Sequence, residues 1–387
     1  MKIEEFGVEQ WMNRYETTCR YNLAETCVES LTVQQLLELS GRGGEVLEEL
    51  MSLKLTYGPI PGSARLRGLI ASLYAHQTAG NVLVTHGAIG ANALVHQTLV
   101  EPGDRVLSVM PTYQQHYAIP ASYGADVHIL HLREENGWLP DLDELASLAA
   151  PGTKLIAINN PNNPTGALMD AAMLECIAAI ADGVGAWVLC DEVYRGTDQD
   201  GGGATAAMAD LYHRGISTGS MSKPFSLAGL RLGWITGPAA LLEAVYIHRD
   251  YNTISVGQVD DLLACVALEA REAILARSRT ITRSNLRILD EWVGSRADIS
   301  YVRPASGTTA LLRYAAPVPS EWLCESLLQH TGVMFTPGSA FGIEGTVRIG
   351  FADGAATLAV GLAEFSRFLD GILPALPFPA SAAAARP

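Results

Sequence analysis

Lys223 lies in Ser220-Met-Ser-Lys-Pro-Phe-Ser-Leu-Ala-Gly-Leu-Arg-Leu-Gly233, behind two hydroxyls and eight residues before Arg231. A lysine amine can hold an aldehyde as a Schiff base. Ser220, Ser222 and the planar fork of Arg231 can meanwhile grip a phosphate. An isolated Ser-x-Ser-Lys is equally a solvated loop; the Gly-x-Arg-x-Gly that follows turns the reading toward a site. An aldehyde and a phosphate on one small molecule describe pyridoxal 5'-phosphate, whose other needs can be sought along the chain.

Asp191-Glu-Val-Tyr194 follows an apolar run, Trp187–Cys190. A carboxylate at the end of a buried strand wants a cationic partner, and a protonated pyridine nitrogen is one that turns the ring into an electron sink. Taken alone, Asp191 reads just as well as a helix N-cap. Tyr194 can bond the ring hydroxyl. Asn160-Pro-Asn-Asn-Pro-Thr-Gly166 is a turn made rigid by two prolines and a glycine, from which Asn163 can present its amide to the ring oxygen and to a substrate carboxylate. In Thr85-His-Gly-Ala-Ile-Gly-Ala91, small residues open a helix whose N–H groups can reach a phosphate. Pro111-Thr-Tyr113 can lay an aromatic ring over the pyridine, although an aromatic after a strand is also ordinary core.

These motifs need strand ends to present them. Candidate strands are Val82–Thr85, Arg105–Val109, Asp126–Leu130, Leu155–Ile158, Trp187–Cys190, Gly215–Thr218 and Leu232–Ile235, separated by helical stretches such as Ala91–Val100 and Ala171–Ala181. The alternation predicts an α/β domain with a mostly parallel sheet that binds ligands at the carboxyl ends of its strands. The rest predicts a smaller α+β domain made from both chain ends. Its strands are expected at Ile299–Val302, Thr308–Arg313 and Thr346–Gly350, with a helix near Glu321–Gln329 and one long helical stretch over Ala264–Val293. The expected division is residues 1–50 and 281–373 for the small domain and 51–280 for the large one. The Pro/Ala-rich tail, 374–387, is expected to be a frayed end.

Length and composition agree with two packed domains: 387 residues, 48% hydrophobic and 17% charged. A net charge of −15 disfavours nucleic-acid or anionic-membrane partners. No apolar run has the length of a bilayer span, and the N-terminus has no leader pattern. Cys19, Cys27, Cys176, Cys190, Cys265 and Cys324 are scattered without a Cys-x-x-Cys pair. They read as reduced thiols of a cytoplasmic protein, and no metal site is expected.

Taken together, the motifs resemble the class I/II aminotransferases of pyridoxal-phosphate fold type I, in the family's order from about Tyr57 to Phe351. The resemblance implies that Lys223 carries the cofactor and shuttles the α-proton, that Asp191 pairs with the ring nitrogen, and that Asn163 and Tyr194 bond the ring hydroxyl. It places Tyr113 on the ring, and Ser220, Ser222, Arg231 and the amides of Ala88 and Ile89 on the phosphate. Tyr57, in Thr-Tyr-Gly-Pro-Ile-Pro-Gly62, matches a tyrosine that reaches the phosphate of a neighbouring subunit, which implies a homodimer with shared sites. Arg348, in Val-Arg-Ile-Gly350, matches the arginine that clamps the substrate α-carboxylate. The implied activity is transfer of an amino group from an α-amino acid to an α-keto acid.

The segment Tyr21-Asn-Leu-Ala-Glu-Thr-Cys-Val-Glu-Ser30 lacks the glycine with which common members approach the substrate. Glu25 in that segment would favour a guanidinium or ammonium on the substrate, or else is a capping or surface carboxylate. Two further stretches, Arg249–Ser255 and Gly307–Arg313, resemble capreomycidine synthases, which cyclise 3-hydroxyarginine by elimination and ring closure. A β-eliminating lyase or cyclase on a β-substituted amino acid is therefore the alternative. A non-catalytic regulator of the same fold is disfavoured by the intact Lys223.

Overall fold

In the computed structural model, which describes residues 2–376, a helix over Gly7–Tyr15 is followed by a two-residue strand, β1 (Tyr21–Asn22). Two short helices, Val33–Ser40 and Gly43–Ser52, come next, with the left-handed Gly41 ending the first of them. The central strands are β2 (Val82–His86), β3 (Arg105–Met110), β4 (Asp126–His131), β5 (Thr153–Asn159), β6 (Trp187–Asp191), β7 (Gly215–Ser220) and β8 (Leu232–Thr236). They form one seven-stranded sheet in the order β2-β8-β7-β6-β5-β3-β4, and only the pairings of β8 are antiparallel. The chain thus has the α/β architecture with a mostly parallel sheet that its apolar runs predict.

Both faces of this sheet are covered, so successive residues of a strand enter different cores. Leu155 and Leu189 pack with the Gly87–Leu99 and Ala239–Asp250 helices through Leu94, Val95, Leu241 and Val245. Their neighbours Ile156, Ile158, Val188 and Cys190 face the other way, toward Leu174 and Ile177 of the Ala171–Val184 helix. A fully buried aliphatic side chain stabilises by roughly 1.5–3 kcal/mol, so these two layers fix the strand ends firmly.

The remaining strands are β9 (Ile299–Ser300), β10 (Thr309–Tyr314), β11 (Val333–Met334), β12 (Thr336–Pro337) and β13 (Thr346–Gly350). Four of them make an antiparallel sheet, β12-β13-β10-β9, while β11 pairs in parallel with β1. Trp11 and Leu23 from the N-terminal segment share a core with Leu312, Leu327, Val347 and Phe365, and the Trp11 indole N–H donates to Phe335 O at 2.7 Å.

Two expectations about organisation differ from the structure. Residues 33–50 were expected beside the small sheet, but Leu36, Leu37 and Val46 pack with Leu66, Ile70 and Trp234 against the β2–β8 edge of the large one. The stretch over Ala264–Val293 is two helices, Gln258–Glu269 and Arg271–Gly294, interrupted at Ala270. The second helix runs through the boundary expected at 280. It buries Ile274 in the large-sheet core, and Leu286 and Leu289 in the small-sheet core. Of the expected tail, Pro374 and Ala375 belong to a 3-10 turn over Leu373–Ala375. Residues 377–387 lie outside the described residues.

Candidate active site

Asn159, Asp191 and Ser220 are the last residues of the adjacent strands β5, β6 and β7, so the parallel order sets them side by side at one edge. β8 runs the other way and begins at that edge, with Gly233 opposite both Thr85 and Ser220. Arg231, one residue before β8 and left-handed at φ 49°, therefore arrives beside Ser220 and the start of the Gly87–Leu99 helix. A Cβ on Gly233 would come within 2.3 Å of the Gly87 carbonyl carbon, so only glycine allows this approach.

A cavity of about 320 Å³ opens over this edge. Ala88, Ile89, Ser220, Ser222 and Arg231 line one end of it. The Ser220 hydroxyl oxygen accepts from the Ser222 N–H at 3.2 Å, which leaves its proton for a ligand. Arg231 donates Nη1 to Ala228 O at 3.1 Å and otherwise has free donors. Together with the unpaired N–H groups of a helix start, this is a cup for an anion.

Asp191, which also lines the cavity, is buried and held by two hydrogen bonds. Its Oδ2 accepts from Asn92 Nδ2 at 2.8 Å, and Oδ1 accepts from the Val193 N–H at 3.2 Å. The His116 ring lies 3.6 Å away, with both of its nitrogens unpaired. Thr218 Oγ1 donates to Asn92 Oδ1 at 2.8 Å and so fixes the amide that serves Asp191. The Val193 bond closes a turn, and no helix begins directly after Asp191, so the helix N-cap reading does not hold. Tyr113 and Tyr194 also border the cavity. The Tyr113 hydroxyl donates to Glu9 Oε1 at 2.7 Å, and burial together with that carboxylate pushes the phenol far above its ordinary range.

Lys223 projects Nζ toward the opposite wall, donating to Thr26 Oγ1 at 2.6 Å and to Cys27 Sγ at 3.4 Å. Burial works against the ammonium, but Cys27, Tyr194 and the Glu25 carboxylate outweigh it and hold the pKa above the ordinary lysine range. The Cys27 thiol is pushed up to about 11, chiefly by burial. Glu25 Oε1 accepts from the N–H groups of Thr26 and Cys27, each at 2.7 Å. Burial opposes that charge as well, and Lys223 and the two N–H donors still bring it below the usual carboxylate range.

At the far end Arg348 is buried. It donates to Asn163 Oδ1 at 3.2 Å, Ala24 O at 2.9 Å and Thr336 Oγ1 at 3.0 Å, while Nε has no partner. A Cβ on Gly350, two residues on, would lie 1.7 Å from Glu25 O. The glycine of Val-Arg-Ile-Gly therefore lets the 23–27 segment cross the strand that carries Arg348.

Every site residue read from the sequence except Tyr57 borders this cavity. Tyr57 is 79% exposed and lies away from it. Sequence reasoning missed Asn92, Thr26, Cys27, and the face of the Gly7–Tyr15 helix that closes the cavity with Val8, Glu9 and Met12. Asn92 carried a signal: it is the lone side-chain hydrogen-bonding residue in the apolar Ala88–Val95 run. Thr26 and Cys27 lie in the Tyr21–Ser30 segment already read as approaching the substrate, although neither was singled out in it, and the helix face carried no signal because its place depends on a long-range contact. Among the described residues, no group of His, Cys, Asp or Glu is placed to hold a metal ion, and no helix is long and apolar enough to cross a membrane.

The residues fit pyridoxal phosphate by their own chemistry. An anion cup, a buried acid, a lysine and a buried arginine with an unpaired N–H all line a cavity of a cofactor's size. The sequence profile described as aminotransferase class I and II matches residues 37–362. This chain belongs to that family of pyridoxal-phosphate enzymes. It is 32% identical to capreomycidine synthase of Streptomyces vinaceus over 94% of this chain and 93% of that one. It is 30% identical to the arginine–pyruvate transaminase of Pseudomonas aeruginosa over 81% and 82% of the two chains. Among solved structures, a PLP-dependent aminotransferase from Streptococcus suis superposes with a TM-score of 0.92 at 43% identity, covering 95% of this chain and 98% of the other.

Proposed function

We propose that this enzyme moves the amino group of an α-amino acid to an α-keto acid, with Lys223 as the group that holds the cofactor and carries the α-proton. The observation that supports this most is that Lys223, the anion cup at Arg231 and the guanidinium of Arg348 all border one cavity. Pyridoxal phosphate supplies the aldehyde on which amino groups exchange and the ring that accepts the electron pair left by the α-proton. Ser220, Ser222, Arg231 and the N–H groups of Ala88 and Ile89 would hold its phosphate. Asp191 would pair with the ring nitrogen, Asn163 and Tyr194 with the ring hydroxyl, and Tyr113 would stack on the ring. Arg348 and Asn163 orient the substrate carboxylate, which brings the α-carbon to the lysine, and Glu25 faces the substrate beside it. Closure by the Gly7–Tyr15 helix keeps water from the lysine while it holds the proton.

The shared-site homodimer belongs to the same proposal. Met51, Leu55, Tyr57 and Tyr251 are 87%, 85%, 79% and 90% exposed. Such exposed apolar side chains would be buried if another molecule covered them. A second copy there would bring Tyr57 to its neighbour's phosphate. The six free cysteines support a cytoplasmic setting.

A second reading, elimination and cyclisation of a β-substituted amino acid, is favoured by the near full-length match to a capreomycidine synthase. The same lysine would take the α-proton, and the outcome would depend on whether a leaving group occupies the β-carbon. Mixing the holoenzyme with amino acids and following products by mass tests both readings. Transamination predicts pyridoxamine phosphate and an α-keto acid, and elimination predicts a dehydrated or cyclised product with the cofactor unchanged. Lys223→Ala should abolish turnover of either kind, and full activity in that variant would overturn the proposal.

A further inference from the structure

The charged groups that line the cavity do not balance. Its cations are Lys223, Arg231 and Arg348, and its carboxylates are Glu9, Glu16, Glu25 and Asp191. On the proposed reading, which this inference rests on, Arg231 goes to the cofactor phosphate and Arg348 to the substrate carboxylate. Asp191 goes to the ring nitrogen, and Lys223 gives up its free ammonium when it takes the aldehyde. Three carboxylates are then left without a protein cation.

Their placing follows from the helix over Gly7–Tyr15. Glu9 and Glu16 are two helical turns apart in sequence, with Glu16 at the C-cap, so they fall on the face that also carries Met12. All three border the cavity. Glu9 is tied to the Tyr113 hydroxyl, and Glu25 to two N–H groups. The Glu16 carboxylate makes no hydrogen bond or ion pair among the described residues, although its backbone N–H donates to Met12 O and its carbonyl accepts from Cys19 Sγ. Desolvation, and after it Glu25 and Glu9, pushes its carboxyl above the ordinary value. Like charges gathered this closely oppose one another until a cation arrives. The unpaired Nε of the buried Arg348 marks, independently, where a ligand carboxylate sits. The apolar side chains of Val8 and Met12 line the same cavity as Arg348 and Glu16.

We propose that Glu16 and Glu25, backed by Glu9, form the side-chain subsite of the substrate, and that it takes a guanidinium or ammonium carried on an aliphatic stem. The stem runs along Met12 and the tip reaches Glu16, so arginine, ornithine and lysine are of the right chemistry and alanine, aspartate and phenylalanine are not. The side chain's positive charge replaces the one that Lys223 gives up beside Glu25.

The test is a titration of the holoenzyme with arginine, citrulline and norleucine, following cofactor absorbance and, separately, the heat of binding. Citrulline has nearly the shape of arginine without its charge. Arginine should half-saturate the enzyme at a concentration at least about tenfold lower than citrulline, the scale of one charge-assisted hydrogen bond. In Glu16→Gln, which alters an exposed position and leaves the fold intact, and in Glu16→Gln/Glu25→Gln, that ratio should shrink to about threefold or less. Equal responses to arginine and citrulline in the parent enzyme, or a ratio that survives in the double variant, would overturn this proposal alone. A cofactor whose absorbance responds to no amino acid would overturn the reading of the cavity, and this proposal with it.

Discussion

Lys223 Nζ and Thr26 Oγ1 meet at 2.6 Å although 197 residues separate them in the chain. The lysine stands at the edge of the large sheet, and the threonine comes from the N-terminal segment that pairs through β1 with β11. The hydroxyl is itself placed by its own backbone, because Thr308 Oγ1 donates to Thr26 O at 2.6 Å. The contact between the two halves of the molecule is thus made at the reacting amine.

Thr26→Val should separate two roles of that hydroxyl. It accepts from the ammonium and so favours the charged lysine. Without it the amine of the cofactor-free enzyme should lose its proton at lower pH, by up to about one pKa unit, and recombine with pyridoxal phosphate up to about tenfold faster near neutrality. Turnover should fall by about tenfold, since the lysine is no longer aimed. Stopped-flow recombination and steady-state rates measure the two. Slower recombination would show that the hydroxyl does not stabilise the charge.

Asn92 holds Asp191 as Thr26 holds Lys223. Asn92→Leu removes the 2.8 Å bond to Asp191 Oδ2 and leaves Thr218 Oγ1 without its acceptor. A carboxylate that turns freely makes a poorer partner for a ring nitrogen, so the cofactor should dissociate about tenfold more readily, the scale of one hydrogen bond. Equilibrium dialysis of the cofactor measures this directly. Retention equal to the parent would show that His116 and the Val193 N–H suffice to orient Asp191.

The differences between the two kinds of residue explain what the sequence could and could not reveal. Asp191, Ser220 and Asn163 were legible because each comes shortly after a stretch recognised as a strand, and strand ends in such sheets converge. Arg231 was legible because two glycines flank it. Thr26 and Cys27 sit in the segment read as approaching the substrate, but nothing local says which of its side chains meets the lysine, and nothing local places Glu9, on a short helix, at the cavity. Strands β1, β11 and β12 are two residues each, too short for any periodicity to show. Tyr57 was legible as a motif, yet its place is outside the cavity of its own chain.

Gly350→Ala tests that crossing. The added Cβ would lie 1.7 Å from Glu25 O and 2.8 Å from its carbonyl carbon, both backbone atoms, so the 23–27 segment must shift. Overpacking of this kind costs about 3 kcal/mol or more. The thermal midpoint should fall by several degrees. KM for the amino acid should rise more than kcat falls, because the segment is also bonded to Arg348 through Ala24 O. A normal midpoint would mean that the segment is free to move aside.

Glu192 gives the enzyme a stability that depends on pH near neutrality. Its carboxyl is pushed up to about 7, first by burial, while Arg195, the Ser217 hydroxyl and the Met208 N–H restrain the shift. Because the folded value lies above the unfolded one, the folded protein holds the proton more tightly. The contribution to stability is full below about pH 4.5 and is lost as pH rises through about 7. With the side chain buried, the loss amounts to about 3 kcal/mol. Glu192→Gln keeps an oxygen to accept from Ser217 Oγ and the Met208 N–H, now 2.6 and 2.8 Å from Oε1, and carries no charge at any pH. Thermal unfolding of parent and variant at about pH 5 and about pH 8 should therefore show similar midpoints at the lower pH and a more stable variant at the higher one. Parallel pH profiles would mean that Glu192 stays ionised in the folded protein, held by Arg195 rather than neutralised by burial.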